Sequence, residues 1–128
     1  MHIHNQNQII NSEIEHLVTE KDWVKLKDVL KNIPAVDIAE FLEDTEPEVA
    51  IVIFRLLLKP KAGEVFAYLS TSKGKELLEV FSRQQLKDVM NTLEPDDLVT
   101  LVEELPGRLT QKVLWSIKPE DQAEVLKL

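Results

Sequence analysis

Apolar residues recur along this chain in steps of twelve. The central series has these members: Leu57, Leu69, Phe81, Leu93, Leu105 and Ile117. Each is preceded by apolar residues three and four positions earlier, as Ile53 and Phe54 precede the first member. Since positions i, i+3 and i+4 share one face of an α-helix, every unit predicts a short amphipathic helix that buries a single stripe.

Helix-start signals separate these units. Prolines fall at or near the predicted first turns, where the missing N–H of proline costs nothing: Pro34, Pro47, Pro60, Pro95, Pro106 and Pro119. The spacings from Thr45 to Glu48 and from Ser82 to Gln85 are those of capping boxes. The signals together predict helices over residues 9–19, 21–31, 35–43, 47–57, 60–69, 73–81, 83–93, 95–105, 108–117 and 119–128. Residues 1–8 are predicted to form a disordered polar lead-in.

The predicted helices are too short to be stable alone. A helix of ten residues is about 15 Å long, so neighbouring helices must supply its stability. Short connections make consecutive helices pack together, and pairs of about 24 residues then stack into a superhelix with one continuous core. A four-helix bundle, the alternative, needs longer helices. The expected fold is therefore all-α, with residues 9–128 as a single superhelical domain.

Four residues inside these helices carry separate expectations. Gly63 and Gly74 weaken a helix interior, which favours a close helix–helix approach where a Cβ would collide, with a hinge as the alternative. Trp23 and Trp115 occupy positions compatible with an apolar face, and we expect both in the core rather than on a binding surface.

Composition narrows the range of functions. The 128 residues and 44% hydrophobic content suit one globular domain. Asp and Glu number 23 against 15 Lys and Arg, and the net charge of −8 disfavours nucleic acids and anionic lipids while suiting cations or a basic partner surface. The chain has no cysteine, so disulfides, zinc–thiolate sites and thiol catalysis are excluded.

No segment has the sequence of a membrane span, a secretion signal or a catalytic motif. The longest apolar run extends only from Val49 to Phe54, whereas a spanning helix needs about 20 residues. The histidines, His2, His4 and His16, all lie near the start and form no preorganised base. We therefore expect a non-catalytic domain without direct membrane insertion, so that any anchor must come from other parts of a longer chain.

Acidic residues gather at the predicted helix ends. The clusters lie in residues 43–48, 94–97, 103–104 and 120–121. The helix dipole favours carboxylates in a first turn, and this explains most of them without any binding function. The alternative is that several carboxylates on one side attract a hard divalent cation such as Mg2+, which is commonly held by one or two carboxylates and water. Sequence spacing leaves both interpretations open.

The ordered series of segments resembles a known family. The similarity is to the N-terminal intracellular domain of the MgtE family of magnesium transporters and channels, and it is carried by segments 30–42, 54–57, 62–65 and 93–106. Each motif alone consists of leucines, acids and prolines, so the order of the motifs is what makes the resemblance specific. It covers roughly residues 22–128.

The resemblance implies a right-handed superhelix that precedes a pair of CBS domains and a transmembrane pore, on the cytosolic face of the membrane. In that family, magnesium ions collect between this domain and the CBS domains when intracellular magnesium is high, screen facing carboxylates and favour the closed pore. On depletion the acidic surfaces repel each other, and the pore opens. The implied function is that of a cytoplasmic magnesium sensor which gates the pore.

The resemblance places the ion-facing acids on Glu64 and Asp96, with Asp97 adjacent. A third acid of the family corresponds to Thr100 here, and its uncharged hydroxyl weakens the implied site. We expect Mg2+ to bind the isolated domain only weakly, because the facing CBS acids are not in this sequence. The chain ends in mid-pattern at Leu128, as a fragment would, and we expect the fragment to be a monomer.

Two other functions are the alternatives. A flagellar motor-switch-like scaffold uses similar superhelices of short helices, but its Glu-His-Pro-Gln segment is absent from this sequence. The second is a stand-alone protein-interaction module without a metal role. Only the transporter predicts CBS-like sequence followed by apolar spans downstream of residue 128.

Overall fold

Short α-helices make up the regular structure of the described chain. The computed structural model describes residues 2–126, without the side chains of residues 2–7, 124 and 125. In chain order the helices are α1 (His2–Thr19), α2 (Trp23–Lys31), α3 (Ala35–Glu43), α4 (Pro47–Leu56), α5 (Lys59–Tyr68), α6 (Thr71–Val80), α7 (Arg83–Met90), α8 (Pro95–Glu103), α9 (Gly107–Leu114) and α10 (Pro119–Leu126). Within residues 2–126 there is no strand, and the predicted all-α fold class is confirmed.

The first helix begins earlier than the sequence predicted. α1 starts at His2, so the backbone of residues 2–8 is helical where we predicted a disordered lead-in; Met1 lies outside the described residues. No proline or glycine occurs in this part of the sequence, so nothing interrupts the helix that Ile14 and Leu17 anchor in the core. None of the helices in residues 2–126 is both long enough and apolar enough to cross a membrane.

Proline and serine begin several helices as predicted. Pro47, Pro60 and Pro95 lie in the first turns of α4, α5 and α8. Ser82 forms the predicted capping box with Gln85 at the start of α7. The Ser82 hydroxyl accepts from the Gln85 backbone N–H at 3.1 Å, and the Gln85 side-chain oxygen accepts from the Ser82 N–H at 3.4 Å.

The other predicted capping box, from Thr45 to Glu48, is wrong. α4 has Glu46 as its N-cap residue, and no side chain caps that end. The Thr45 hydroxyl instead donates to the Leu42 carbonyl at 3.0 Å. Thr45 therefore completes the end of α3, because its hydroxyl has a backbone acceptor three residues earlier and no role in the next helix.

The twelve-residue series lies in the core. Its buried members are Leu57, Phe81, Leu93 and Ile117, and its partly buried members are Leu69 and Leu105. The apolar pairs that precede them in α4, α5, α6 and α7 are all buried. The rings of Phe54, Phe66 and Phe81 pack together at the centre, with centroid separations of 5.3 to 6.4 Å. Such angled ring contacts add to the stabilisation that burial provides.

Most extensive helix contacts are between helices two positions apart along the chain, whereas α1 packs on α2. The pairs with extensive contact include α2 with α4, α3 with α5, α4 with α6, α5 with α7 and α8 with α10. This pattern joins the apolar stripes of successive helices into one core, as expected for a chain of short repeats. The superhelical path and its right hand stay predictions from the sequence.

Long side chains also link four of the helices to a helix three positions earlier. Lys61 of α5 donates to the Leu30 carbonyl in α2 at 2.8 Å, and Lys73 of α6 donates to the Thr45 carbonyl after α3 at 2.6 Å. Further links run from Gln85 to Ile51 at 3.0 Å and from Lys112 to Leu78 at 2.6 Å. The last carbonyls of a helix have no partner within it, and a cation there is favoured by the helix dipole. The three lysines therefore supply bonds at or just after helix ends, whereas the Ile51 carbonyl that Gln85 binds lies in the interior of α4.

The tryptophans do not lie in the core, so the prediction for both is wrong. Trp115 is 79% exposed and Trp23 is 37% exposed. α9 buries Leu109 and Val113. Trp115 follows Val113 by two positions and therefore lies on a different face of the helix, away from the core.

The two helical glycines differ in what surrounds them. A Cβ on Gly63 of α5 would lie 2.6 Å from the Thr92 carbonyl oxygen, in the connection between α7 and α8. A Cβ on Gly74 of α6 would meet only the Phe66 ring, at 3.6 Å. The predicted close approach is therefore present at Gly63, where backbone meets backbone, whereas Gly74 has ordinary van der Waals space.

The first prediction concerns these glycines. Gly63→Ala should lower the free energy of unfolding by about 1–3 kcal/mol, because the Thr92 backbone must move to make room. Gly74→Ala is the matched control, and it should be neutral or stabilising by about 0.5–1 kcal/mol because alanine favours the helix. Urea denaturation monitored by circular dichroism measures both values. Equal effects of the two substitutions would contradict the described packing of α5.

The second prediction concerns the lysine links. Lys73 is 6% exposed, so Lys73→Met should cost about 1–3 kcal/mol of unfolding free energy by leaving the Thr45 carbonyl without its partner. Lys75→Met, two positions away, removes a charge that has no hydrogen bond with the described residues, and it should change stability by less than about 0.5 kcal/mol. Thermal and urea denaturation distinguish the two. A neutral Lys73→Met variant would show that the link carries no stability.

Candidate functional site

Glu64 lies on the exposed side of α5. Its neighbours Gly63 and Val65 are buried, while Glu64 itself is exposed and makes no hydrogen bond or ion pair with the described residues. Lys61 is one turn earlier, where burial at the end of α2 lowers the pKa of its ammonium group and the negative charge of Glu64 opposes that shift. The Glu64 carboxylate therefore faces solvent, with a single partly buried cation beside it.

Asp96 and Asp97 occupy the first turn of α8, directly after Pro95. Both side chains are exposed, and neither forms a hydrogen bond or ion pair with a described residue. The dipole of α8 favours negative charge at this end, which accounts for two acids in the first turn. The Thr100 hydroxyl donates to the Asp96 backbone carbonyl at 3.0 Å. Its hydrogen is therefore used within α8.

The close approach at Gly63 brings α5 to the chain segment that leads into α8. Gly63 packs on Thr92, which precedes Asp96 by four residues. Farther along, the C-terminal end of α5, the start of α6 and one face of α8 surround a hollow of about 160 Å³. Asp97 and Thr100 line this hollow, and Asp96 does not. The contact of Gly63 with Thr92 thus places Glu64 next to a residue that packs on the segment leading into α8.

Glu104 also lines the hollow; the sequence placed it in the acidic cluster at residues 103–104 but not among the ion-facing acids. It follows Asp97 by seven positions, a spacing that places both residues on one helix face. This spacing is the sequence feature that could have grouped Glu104 with Asp97. The Glu104 carboxylate accepts a hydrogen bond from the Thr71 hydroxyl at 2.6 Å, which fixes the start of α6 against the end of α8. Glu104 therefore has a structural partner, unlike Asp97.

Two other acids also form hydrogen bonds within the domain. Glu43 accepts from the Ser70 N–H at 2.7 Å and from its hydroxyl at 2.8 Å. Glu79 accepts two bonds from the Arg108 guanidinium, and this pairing lowers the pKa of the Glu79 carboxyl. By contrast, the three predicted ion-facing acids keep carboxylates with no partner among the described residues.

The described residues contain no group of three or more metal-ligating side chains close enough to hold an ion. Glu64, Asp96 and Asp97 therefore do not form a closed coordination site on this surface. Carboxylate oxygens are nevertheless the donor type that Mg2+ prefers, and Mg2+ usually keeps several of its waters. An ion held by these carboxylates would need further oxygen donors from water or from another surface.

Comparison with known proteins gives one family and two similar structures. A family model described as MgtE intracellular N domain matches residues 33–128. The chain is similar to the cytosolic domain of the Mg2+ channel MgtE in complex with ATP, with 27% identity and a TM-score of 0.79 over 91% of this chain and 48% of that chain. The soluble part of a magnesium transporter has the same fold, with 11% identity and a TM-score of 0.83 over 94% of this chain and 48% of that chain.

The chain therefore spans about half the length of the structures it matches. The search of curated proteins gave no match.

The third prediction uses Lys61 as a reporter of Glu64. Glu64→Gln should lower the pKa of Lys61 further, because the substitution removes the negative charge that opposes the effect of burial. Asp96→Asn is the control and should leave the Lys61 titration unchanged. The pKa is measured by NMR titration of the lysine side-chain resonances. A pKa of Lys61 that rises in the Glu64→Gln variant would contradict the described contact.

Proposed function

This chain belongs to the family of MgtE intracellular N domains, and from that premise we propose that it is the regulatory, non-catalytic domain of a magnesium transporter or channel. In the proposed protein it lies on the cytosolic side of the membrane, next to CBS domains and a transmembrane pore. Its function there is to report the magnesium concentration to the pore.

The observation that supports this proposal is the set of unpartnered carboxylates on α5 and at the start of α8. Glu64, Asp96 and Asp97 are exposed and uncommitted, whereas Glu43, Glu79 and Glu104 are held by hydrogen bonds. An acid in a first turn can serve the helix dipole without any partner, so the lack of a partner leaves Asp96 and Asp97 free for a second role without requiring one. The free carboxylates are therefore available to a facing surface.

The proposed mechanism is electrostatic. When a second acidic surface approaches Glu64 and the first turn of α8, the like charges raise the free energy of the closed arrangement. Mg2+ between the surfaces would supply the positive charge that offsets this repulsion. Because the ion has both sets of donors only in the closed arrangement, magnesium shifts the population toward closure. Depletion restores the repulsion, and the domain separates from its neighbour.

Binding to this domain alone should be weak. Mg2+ dehydrates reluctantly, and one or two carboxylates without a rigid cage hold it poorly. Thr100 adds no charge beside Asp96, and its hydroxyl is already bonded to the backbone. The proposed site thus depends on the facing domain for most of its affinity.

The fourth prediction tests the site directly. Magnesium chloride added to the isotope-labelled domain at constant ionic strength should shift amide resonances near Glu64 and at the start of α8, with saturation only in the millimolar range. A combined Glu64→Gln and Asp96→Asn variant should lose these shifts. Glu48→Gln is the matched control, because Glu48 follows Pro47 in the first turn of α4 as Asp96 follows Pro95 in α8.

Shifts spread evenly over all acidic helix starts would indicate unspecific screening and contradict the site. In a longer protein that includes the adjoining domains, magnesium should bind more tightly than to the domain alone. Equal affinity in both would show that no facing surface contributes, and the stand-alone interaction module would then be the better interpretation.

A further inference from the structure

Cationic side chains line a groove between α7 and α9. It encloses about 370 Å³ and is lined by Arg83, Leu86, Arg108, Gln111, Lys112, Trp115 and Ser116. Three of these residues are cationic and none is acidic, in a chain whose net charge is −8. Positions 108, 111, 112 and 115 have the spacing of one helix face, so α9 presents this stripe beside the face that it buries.

Trp115 forms one end of the groove and is 79% exposed. Its indole contributes no packing to the core, and an exposed tryptophan beside an arginine is the composition that dominates binding energy in protein interfaces. The indole also offers a donor N–H and a flat apolar face to an incoming side chain. Trp115 is thus available as an anchor for a partner.

The cations of the groove are held in place by different means. The Arg108 guanidinium makes two bonds to Glu79, at 2.9 and 2.5 Å, and Lys112 donates to the Leu78 carbonyl at 2.6 Å. These bonds position both cations at the rim. Arg83 is exposed and makes no hydrogen bond or ion pair with a described residue. It is the uncommitted cation of the groove.

We propose that this groove binds an acidic, extended segment of another protein, which places a large apolar side chain against Trp115 and a carboxylate against Arg83. Charge complementarity supports a protein segment. The groove is short and the chain has a net charge of −8, so a nucleic acid or an anionic membrane, each of which needs an extended basic surface, would meet overall repulsion. A short peptide segment contacts the groove alone.

The test uses a short peptide of alternating glutamate and leucine as the probe. In a Trp23→Phe background Trp115 is the remaining tryptophan, and its fluorescence should change on saturable binding at peptide concentrations below about 1 mM. Arg83→Glu should weaken binding by about tenfold or more, because it turns attraction into repulsion at the groove. The substitution falls in the first turn of α7, where an acid is favoured, so folding should be preserved.

Lys27→Glu is the matched control, since it makes the same charge change on α2, away from the groove, and it should alter affinity by less than about twofold. Trp115→Ala, measured by anisotropy of a labelled peptide, should also weaken binding by about tenfold. Equal weakening by Lys27→Glu and Arg83→Glu would overturn the proposal. So would absence of binding at about 1 mM peptide, or binding of oligothymidylate or phosphatidylserine vesicles in place of the peptide.

Discussion

The structure depends on one constraint, which is that none of its short helices can be stable by itself. The helices α2 to α10 have between 8 and 10 residues, so each has almost as many unpaired backbone groups at its ends as bonded ones inside. Two kinds of contact between helices supply the missing stability. Helices two positions apart bury each other's apolar stripes, and lysines such as Lys61 and Lys73 reach back three helices to bind exposed carbonyls.

The shortness of the helices also explains why many acids lie at helix starts without a hydrogen-bond partner. A short helix needs its start stabilised, and carboxylates at that point serve the helix dipole whether or not they have another function. α4 and α8 begin alike, with Glu46-Pro47-Glu48 and Glu94-Pro95-Asp96. The two starts differ in their surroundings, because the missing side chain of Gly63 lets α5 pack on Thr92 and carries Glu64 to the neighbourhood of α8. The proposed magnesium surface follows from that approach, and helix-start chemistry alone would not produce it.

Sequence periodicity predicted the fold well, because a buried stripe every twelve residues is a local property of the chain. The starts of α3, α4, α7, α8 and α10 are where proline and serine placed them. What failed depends on which of several local or distant contacts a side chain makes. The periodicity gave no indication that Thr45 would finish α3, that Glu104 would hold Thr71, or that Trp115 would lie outside the core. The ion-facing residues came from family resemblance, since the spacing of the acids left their function open.

The two proposed surfaces have opposite charge, and a divalent cation therefore acts on them with opposite sign. At the face formed by Glu64 and the first turn of α8, a cation reduces repulsion between like-charged partners and favours contact. At the groove around Arg83, the same ion screens an attraction and binds the acids of the incoming segment, which disfavours contact. A rise in magnesium would then strengthen one contact of this domain while it weakens the other. Such a rise would release the acidic segment from the groove while the acidic face binds its neighbouring domain, without any change in the fold of this domain.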